Sequence, residues 1–290
     1  MDGMLQNSYR TIRARRISGS LGAEITGVNL AEPVDDAVLA ELRAALLEHL
    51  VIFFRDQDMT PDRMLAFARR FGDIHRHPFI AGMPDYPEVL ELVKKPSDKR
   101  NFGGDWHTDQ MFAPEPAMGT MLWAKQVPAA GGDTMFANQY LAYEALSDGM
   151  KRMIANVRGV CVGDKKKGGV SRLAHNAATL ASVKTVEPPK DLQTTSPHPL
   201  VRTHPETGRK SLYIGGHVHW LEDMTEAESQ PLIRYLYNHA TQPAFTCRFR
   251  WEKGSLAFWD NRCTQHFAIN DYPAETRIMH RVTIRGDRPF

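Results

Sequence analysis

Apolar and polar positions alternate along this chain in two distinct rhythms. DDAVLAELRAALLEHL places Leu39, Leu42, Leu46 and Leu50 on one helical stripe behind an acidic start. VIFF (51–54) follows at once and predicts a short buried strand. Thr60-Pro61 then opens a second helix, with Thr60 as N-cap and Pro61 at its first position, carrying Met64, Phe67, Ala68 and Phe71 and closed by Gly72. Strands are predicted at LGAEITGVNL (broken by Gly22 and Gly27), at VLELV (89–93), at MGTMLWAKQ (118–126) and after the GGDT turn (131–134). A helical region is predicted around LAYEALSDGMKRMIANV.

The last third is sharper. RTHPETGRKSLYI predicts a hairpin around Thr207-Gly208, and MTEAESQPLIRYLYNHA a helix. AFTCRFRW alternates strictly, with Phe245, Cys247, Phe249 and Trp251 on one face and Thr246, Arg248 and Arg250 on the other. SLAFWD and RIMHRVTIR are also strand-like, with a polar turn around WDNRCTQH between them. Strands at both ends with helices between predict a β-sandwich or barrel core with helical decoration. Residues 162–200 are rich in Lys, Gly, Ser, Thr and Pro and carry little periodicity, which predicts an irregular insert, either a functional lid or a partly disordered segment.

Composition narrows the function. The 290 residues are 42% hydrophobic, enough for one large domain over 1–290. Lys and Arg number 36 against 34 Asp and Glu, so no strong basic field points to nucleic acid. The basic run DKKKGG (164–169) reads as a solvated loop. No apolar run approaches the roughly 18 residues of a membrane span. The opening MDGMLQNSYRTIRARR lacks the apolar segment of a secretory signal. Cys161, Cys247 and Cys263 lack CxxC spacing and are expected to be packing residues in a reducing cytoplasm.

The chemistry concentrates in GGDWHTDQMF (103–112). In extended backbone, residues two apart face the same way, so His107 and Asp109 can aim a nitrogen and a carboxylate at one point. A second histidine, for which His266 is the candidate, would complete a 2-His-1-carboxylate set that leaves metal positions open. On the final strand Arg277, Met279, Arg281 and Thr283 share one face, with the arginines about 13 Å apart at roughly 3.3 Å per residue. Each could hold a carboxylate bidentately. On strand pattern alone, such a face is solvent-facing.

The segments WHTD, PAAGGDTMFAN, WDNRCTQH and RIMHRVTIRGDRP, with LGAEITGVNL, VIFFRDQ and FARRFGDIHRHP before them and HPLVRTHPETGRKSLYI and FTCRFRW between, resemble the taurine/2,4-dichlorophenoxyacetate dioxygenase family across nearly the whole chain. The resemblance implies a mainly β fold with α decoration, a double-stranded β-helix or jelly roll. It also implies an Fe(II)- and 2-oxoglutarate-dependent oxygenase that consumes O2 and releases succinate and CO2. By position, His107, Asp109 and His266 correspond to the iron ligands. Thr134 and Arg277 correspond to the 2-oxoglutarate contacts, and His77 and Arg281 to substrate contacts. The family also suggests a homo-oligomer.

Three positions depart from the sulfonate-using pattern. Gly103 and Gly215 stand where asparagines are expected, and Ile80 where a tyrosine is. These departures argue against taurine itself and bring His217 and His219 forward as pocket candidates, with Gly103 and His217 counted among the substrate-side positions. Trp106 is expected to be packing. The expected substrate is a small organic anion: an alkyl sulfonate or sulfate, or an aryloxy carboxylate. Hydroxylation of a natural product is the alternative outcome. A metal- or acid-binding jelly roll without turnover would need a defective triad or a lost co-substrate arginine, and neither is seen; a zinc hydrolase on the same triad would leave Thr134 and Arg277 without a purpose.

Overall fold

The computed structural model describes residues 9–164 and 182–290, together with Ala174. Its main layer is an eight-stranded sheet in the order β1-β2-β3-β14-β6-β16-β4, with β5 also paired to β16. These strands are β1 (Arg13–Arg16), β2 (Ala23–Thr26), β3 (Val51–Phe54), β4 (Ile74–His75), β5 (Leu90–Lys94), β6 (Gly119–Gln126), β14 (Leu256–Asp260) and β16 (Arg277–Ile284). Only the β2–β3 pair is parallel; the rest of this sheet is antiparallel.

The central strands are buried on both faces. Ile52, Phe54, Met121, Trp123, Leu256, Phe258, Val282 and Ile284 pack under helices α1 (Asp36–His49) and α2 (Pro61–Arg69). The alternate residues Val51, Phe53, Leu122, Ala124, Ala257, Trp259 and Met279 face a three-stranded sheet, β13-β7-β15. That second sheet comprises β7 (Thr134–Asn138), β13 (Thr246–Phe249) and β15 (Thr264–Ala268). Phe53 stacks on Phe249 at 4.0 Å between ring centroids, which locks the two layers. With both faces covered, the two-residue period separates two cores rather than core from water.

A third core lies among β8 (Arg158–Val162), β9 (Thr195–Pro199), the β10–β11 hairpin (Val201–Thr203, Lys210–Leu212), β12 (Val218–Leu221), α3 (Gln139–Glu144), α4 (Asp148–Ile154) and α5 (Glu226–Ala240). The predicted helical region is thus two helices, split where Ser147 caps α4 by accepting from the Met150 amide. Thr60 does occupy the N-cap of α2 in extended conformation, without a side-chain cap bond. All three cysteines are free and buried.

Two expectations are corrected. The irregular insert is partly ordered sheet: β9 pairs antiparallel with β8, and Thr185 bridges Ile80. The basic run beyond Asp164 and part of the expected lid, 165–173 and 175–181, lie outside the described residues. The final strand has no solvated face, because the polar residues Arg277, Arg281 and Thr283 look into the space between the sheets.

Candidate active site

His266 lies on β15, not in a turn; the turn is confined to Asn261–Cys263. It pairs with Phe136 of β7 on one side. On the other it meets His107 through two main-chain bonds, His107 N–H to His266 O at 3.1 Å and His266 N–H to His107 O at 2.8 Å. This pairing brings the imidazoles within 4.2 Å, centroid to centroid. Asp109 completes the group: its Oδ1 is 3.7 Å from His107 Nε2 and 3.6 Å from His266 Nε2. One ligand atom from each residue falls within 4.8 Å of the other two.

The protonation states suit metal binding. His107 Nδ1 lies 2.6 Å from the Asp105 carbonyl, so it carries the proton and leaves the Nε2 lone pair facing Asp109. Burial, reinforced by His107, holds His266 well below the ordinary histidine range, in its neutral form. Burial alone would raise the Asp109 carboxyl. The Arg281 guanidinium and the two imidazoles outweigh it and hold the group far below the usual carboxylate range. Two imidazoles and one ionised carboxylate are the donor set of a non-haem Fe(II) site.

Asp109 is gripped on both oxygens. Arg281 Nη2 reaches Oδ1 at 2.7 Å, and Thr120 Oγ1 donates to Oδ2 at 2.7 Å. The loop carrying Asp109 is tied to the β14–β15 turn, where Thr108 donates to the Asn261 carbonyl at 2.7 Å.

Beyond the triad lies a second polar pocket. Arg277 is buried, and its Nε and Nη2 have no hydrogen-bond partner among the described residues. Its guanidinium sits 5.6 Å from the Trp251 ring centroid. Trp251 Nε1 donates to Thr134 Oγ1 at 3.0 Å, leaving the threonine proton free to point elsewhere. Thr134 and Arg277 are therefore joined through one indole. Two unsatisfied buried N–H donors are costly unless an anion meets them, and a carboxylate of 2-oxoglutarate has the matching fork geometry.

The His77 ring lies 6.1 Å from that of Phe102, over which the Arg281 guanidinium sits at 5.8 Å. His217 is 6.4 Å from His107 and 5.8 Å from Phe112, ring to ring. His219 lies on β12, where its carbonyl accepts from Gln230. Ile80 packs with Leu90 and Val183. A Cβ on Gly215 would stand 3.6 Å from the His107 Cα. Trp106 packs against Phe267 at 5.7 Å, as expected.

Gly103 carries φ +82°, and a Cβ there would come 3.3 Å from His107 Cε1. Its glycine is explained by backbone conformation and by the adjoining imidazole. Gly103→Ala is expected to cost about 1–3 kcal/mol in urea unfolding and to weaken metal binding by displacing His107. Unchanged stability and metal affinity would refute both effects.

Sequence reasoning missed Thr120, Phe102 and Phe112, and left Asn261 and Trp251 without a role in the site. Thr120 and Asn261 had faint signals, a polar residue in an apolar strand and a polar turn following one.

An Fe(II)-type donor set between two sheets, next to a vacant-handed arginine, defines the class of mononuclear non-haem oxygenases. The model of the taurine catabolism dioxygenase TauD, TfdA family matches residues 13–283. An alkylsulfatase of Acinetobacter baylyi is 33% identical over 288 residues, spanning 99% of this chain and 89% of the relative. The (S)-phenoxypropionate/alpha-ketoglutarate-dioxygenase of Sphingobium herbicidovorans is 34% identical, spanning 93% of this chain and 94% of the relative. The crystal structure of a taurine dioxygenase from Burkholderia xenovorans superposes with a TM-score of 0.80 at 34% identity, covering 97% of this chain and 91% of that one. The chain belongs to the TauD/TfdA dioxygenase family.

Proposed function

We propose that the protein uses Fe(II), 2-oxoglutarate and O2 to hydroxylate a small organic anion, an alkyl sulfate or sulfonate or an aryloxy carboxylate, with succinate and CO2 as co-products. One observation carries the reading: the His107–Asp109–His266 donor set shares the inter-sheet space with the buried Arg277, whose Nε and Nη2 lack partners. In this reading the scaffold is a double-stranded β-helix, and His107, Asp109 and His266 hold the metal.

Iron with its co-substrate supplies the oxidising power for C–H cleavage. The chain's own residues bind and orient. Arg277 and Thr134 grip the distal carboxylate of 2-oxoglutarate, and Trp251 fixes Thr134 by occupying one of its lone pairs. Arg281 and His77 meet the substrate anion. Phe102, Phe112 and Ile80, with Gly103, His217 and Gly215, form a wall with few polar groups, which suits a substrate with an apolar body better than taurine. Hydroxylation at a carbon bearing a sulfate, sulfonate or ether oxygen makes a product that collapses without further help, releasing sulfate, sulfite or a phenol. A homo-oligomeric cytoplasmic enzyme is consistent with the family, and no described helix is long and apolar enough to cross a membrane.

The test is an anaerobic titration of apo-protein with Fe(II) and then 2-oxoglutarate, watching for the visible charge-transfer band. A substrate panel assayed by succinate release follows. The expected result is a band in the wild type, none in His107→Ala, and turnover with an alkyl sulfate, an alkyl sulfonate or an aryloxy acid in preference to taurine. Folded protein without a band would overturn the cofactor assignment. A band with turnover on taurine alone would overturn the preference for a substrate with an apolar body.

A further inference from the structure

Asp109 is held by a buried relay of hydrogen bonds whose direction is fully determined. The Asn261 side-chain oxygen accepts from Trp259 Nε1 at 3.0 Å and from the Asp109 amide at 3.2 Å. Two N–H donors on one atom fix which end of the amide is oxygen. Asn261 Nδ2 therefore points the other way and donates to Thr120 Oγ1 at 3.1 Å. With that lone pair engaged, the Thr120 hydroxyl proton goes to Asp109 Oδ2 at 2.7 Å.

Every member is buried, so water is poorly placed to substitute for any of them. Thr120 lies at the middle of the main sheet, directly opposite Trp259 of β14 and Thr283 of β16. Its position is thus set by two neighbouring strands.

We infer that Thr120, oriented by Asn261, is a positioning residue that commits Asp109 to the metal through Oδ1 alone. The inference rests on His107, Asp109 and His266 being the metal ligands. A carboxylate can offer one oxygen or two. Here Oδ2 is engaged by Thr120, while Oδ1 is the oxygen that faces both Nε2 atoms. Arg281 on Oδ1 limits rotation from the other side. A one-oxygen ligand leaves coordination positions for a chelating co-substrate. A freely turning carboxylate could occupy one of them. Outer partners of this kind tune both the affinity and the orientation of a ligand.

Thr120→Val removes the hydroxyl at nearly constant volume, and Thr120→Ser restores it. The experiment titrates each apo-protein anaerobically with Fe(II) alone, then with 2-oxoglutarate at saturating Fe(II), and records thermal melting alongside. Thr120→Val is expected to weaken Fe(II) binding roughly 10–100-fold and to shift or weaken the charge-transfer band even at metal saturation. Thr120→Ser should return both to near the wild-type values. A purely structural role would move the melting temperature and leave affinity and band unchanged, and that result overturns the inference. If Thr120→Val does not fold, Thr120→Ala carries the same expectation. Failure of the wild type to bind Fe(II) defeats the functional reading and this inference together, whereas normal wild-type binding with an unaltered variant defeats this inference alone.

Discussion

An Arg277→Gln variant should keep its Fe(II) affinity and lose nearly all affinity for 2-oxoglutarate. The guanidinium's Nε and Nη2 are buried without a hydrogen-bond partner among the described residues, and its neighbours are the Trp251 ring, the Tyr272 phenol and the Asp133 carboxylate. Two charge-assisted bonds to a carboxylate are together worth about 3–6 kcal/mol. That corresponds to a rise in the dissociation constant on the order of 10²–10⁴-fold. Lysine at 277 should recover only part of it, since a point charge cannot reproduce the planar fork. The same change should leave the apo-protein as stable as before, or more so, because it removes an imperfectly compensated buried charge. Titrating the visible band with 2-oxoglutarate at fixed Fe(II), with urea unfolding of the apo-protein, measures both effects. Wild-type 2-oxoglutarate affinity in the variant would remove Arg277 from the co-substrate site.

Asp109→Ala should abolish metal binding and also damage the metal-free protein. The carboxylate and Arg281 are both buried and 2.7 Å apart, so truncation strands the guanidinium without its anion. Breaking one side of a buried pair costs about 3–5 kcal/mol. The penalty should depend on pH. The Asp109 carboxyl is held far below its ordinary value, so its stabilising contribution is complete above the unfolded-state pKa of about 3.9 and is lost as pH falls below it. The stability gap between wild type and variant, measured by urea unfolding without metal, should therefore be full at neutral pH and narrow in acid. A gap below about 1 kcal/mol at pH 7 would class the pair with weak surface bridges instead.

Much of this architecture could be read before any coordinates. The apolar runs at 51–54 and 256–260 are strands because both their faces meet a core. Other strands left no such trace. RARR (13–16) is a strand because β2 pairs with it and Glu24 answers Arg15, which composition does not reveal. TSPHP (195–199) has two prolines and poor strand propensity, yet it fits because β9 is the outermost strand of its sheet, where a missing N–H is tolerated. Strand pattern alone would put the arginine face of β16 in solvent, for a related reason. A period of two separates two faces but does not say what covers each. The donor set was visible as HxD plus a distant histidine, since residue type and spacing state the chemistry. Thr120 was not visible: eleven residues beyond Asp109, it reaches the carboxylate only because β6 runs beneath that loop.

The burial of the three cysteines bears on how such an enzyme survives its own chemistry. Oxygen activation that misses its substrate yields oxidants inside the protein, and thiolates are their usual targets. Burial pushes the Cys247 thiol up to about 12 and raises the Cys161 and Cys263 thiols well above the ordinary thiol value, so none is ionised at neutral pH. None presents a nucleophilic sulfur to peroxide in the surrounding water. Damage from idle turnover would then fall on the metal centre and the rings of His107, His266 and Phe102 around it, and the thiols would be spared.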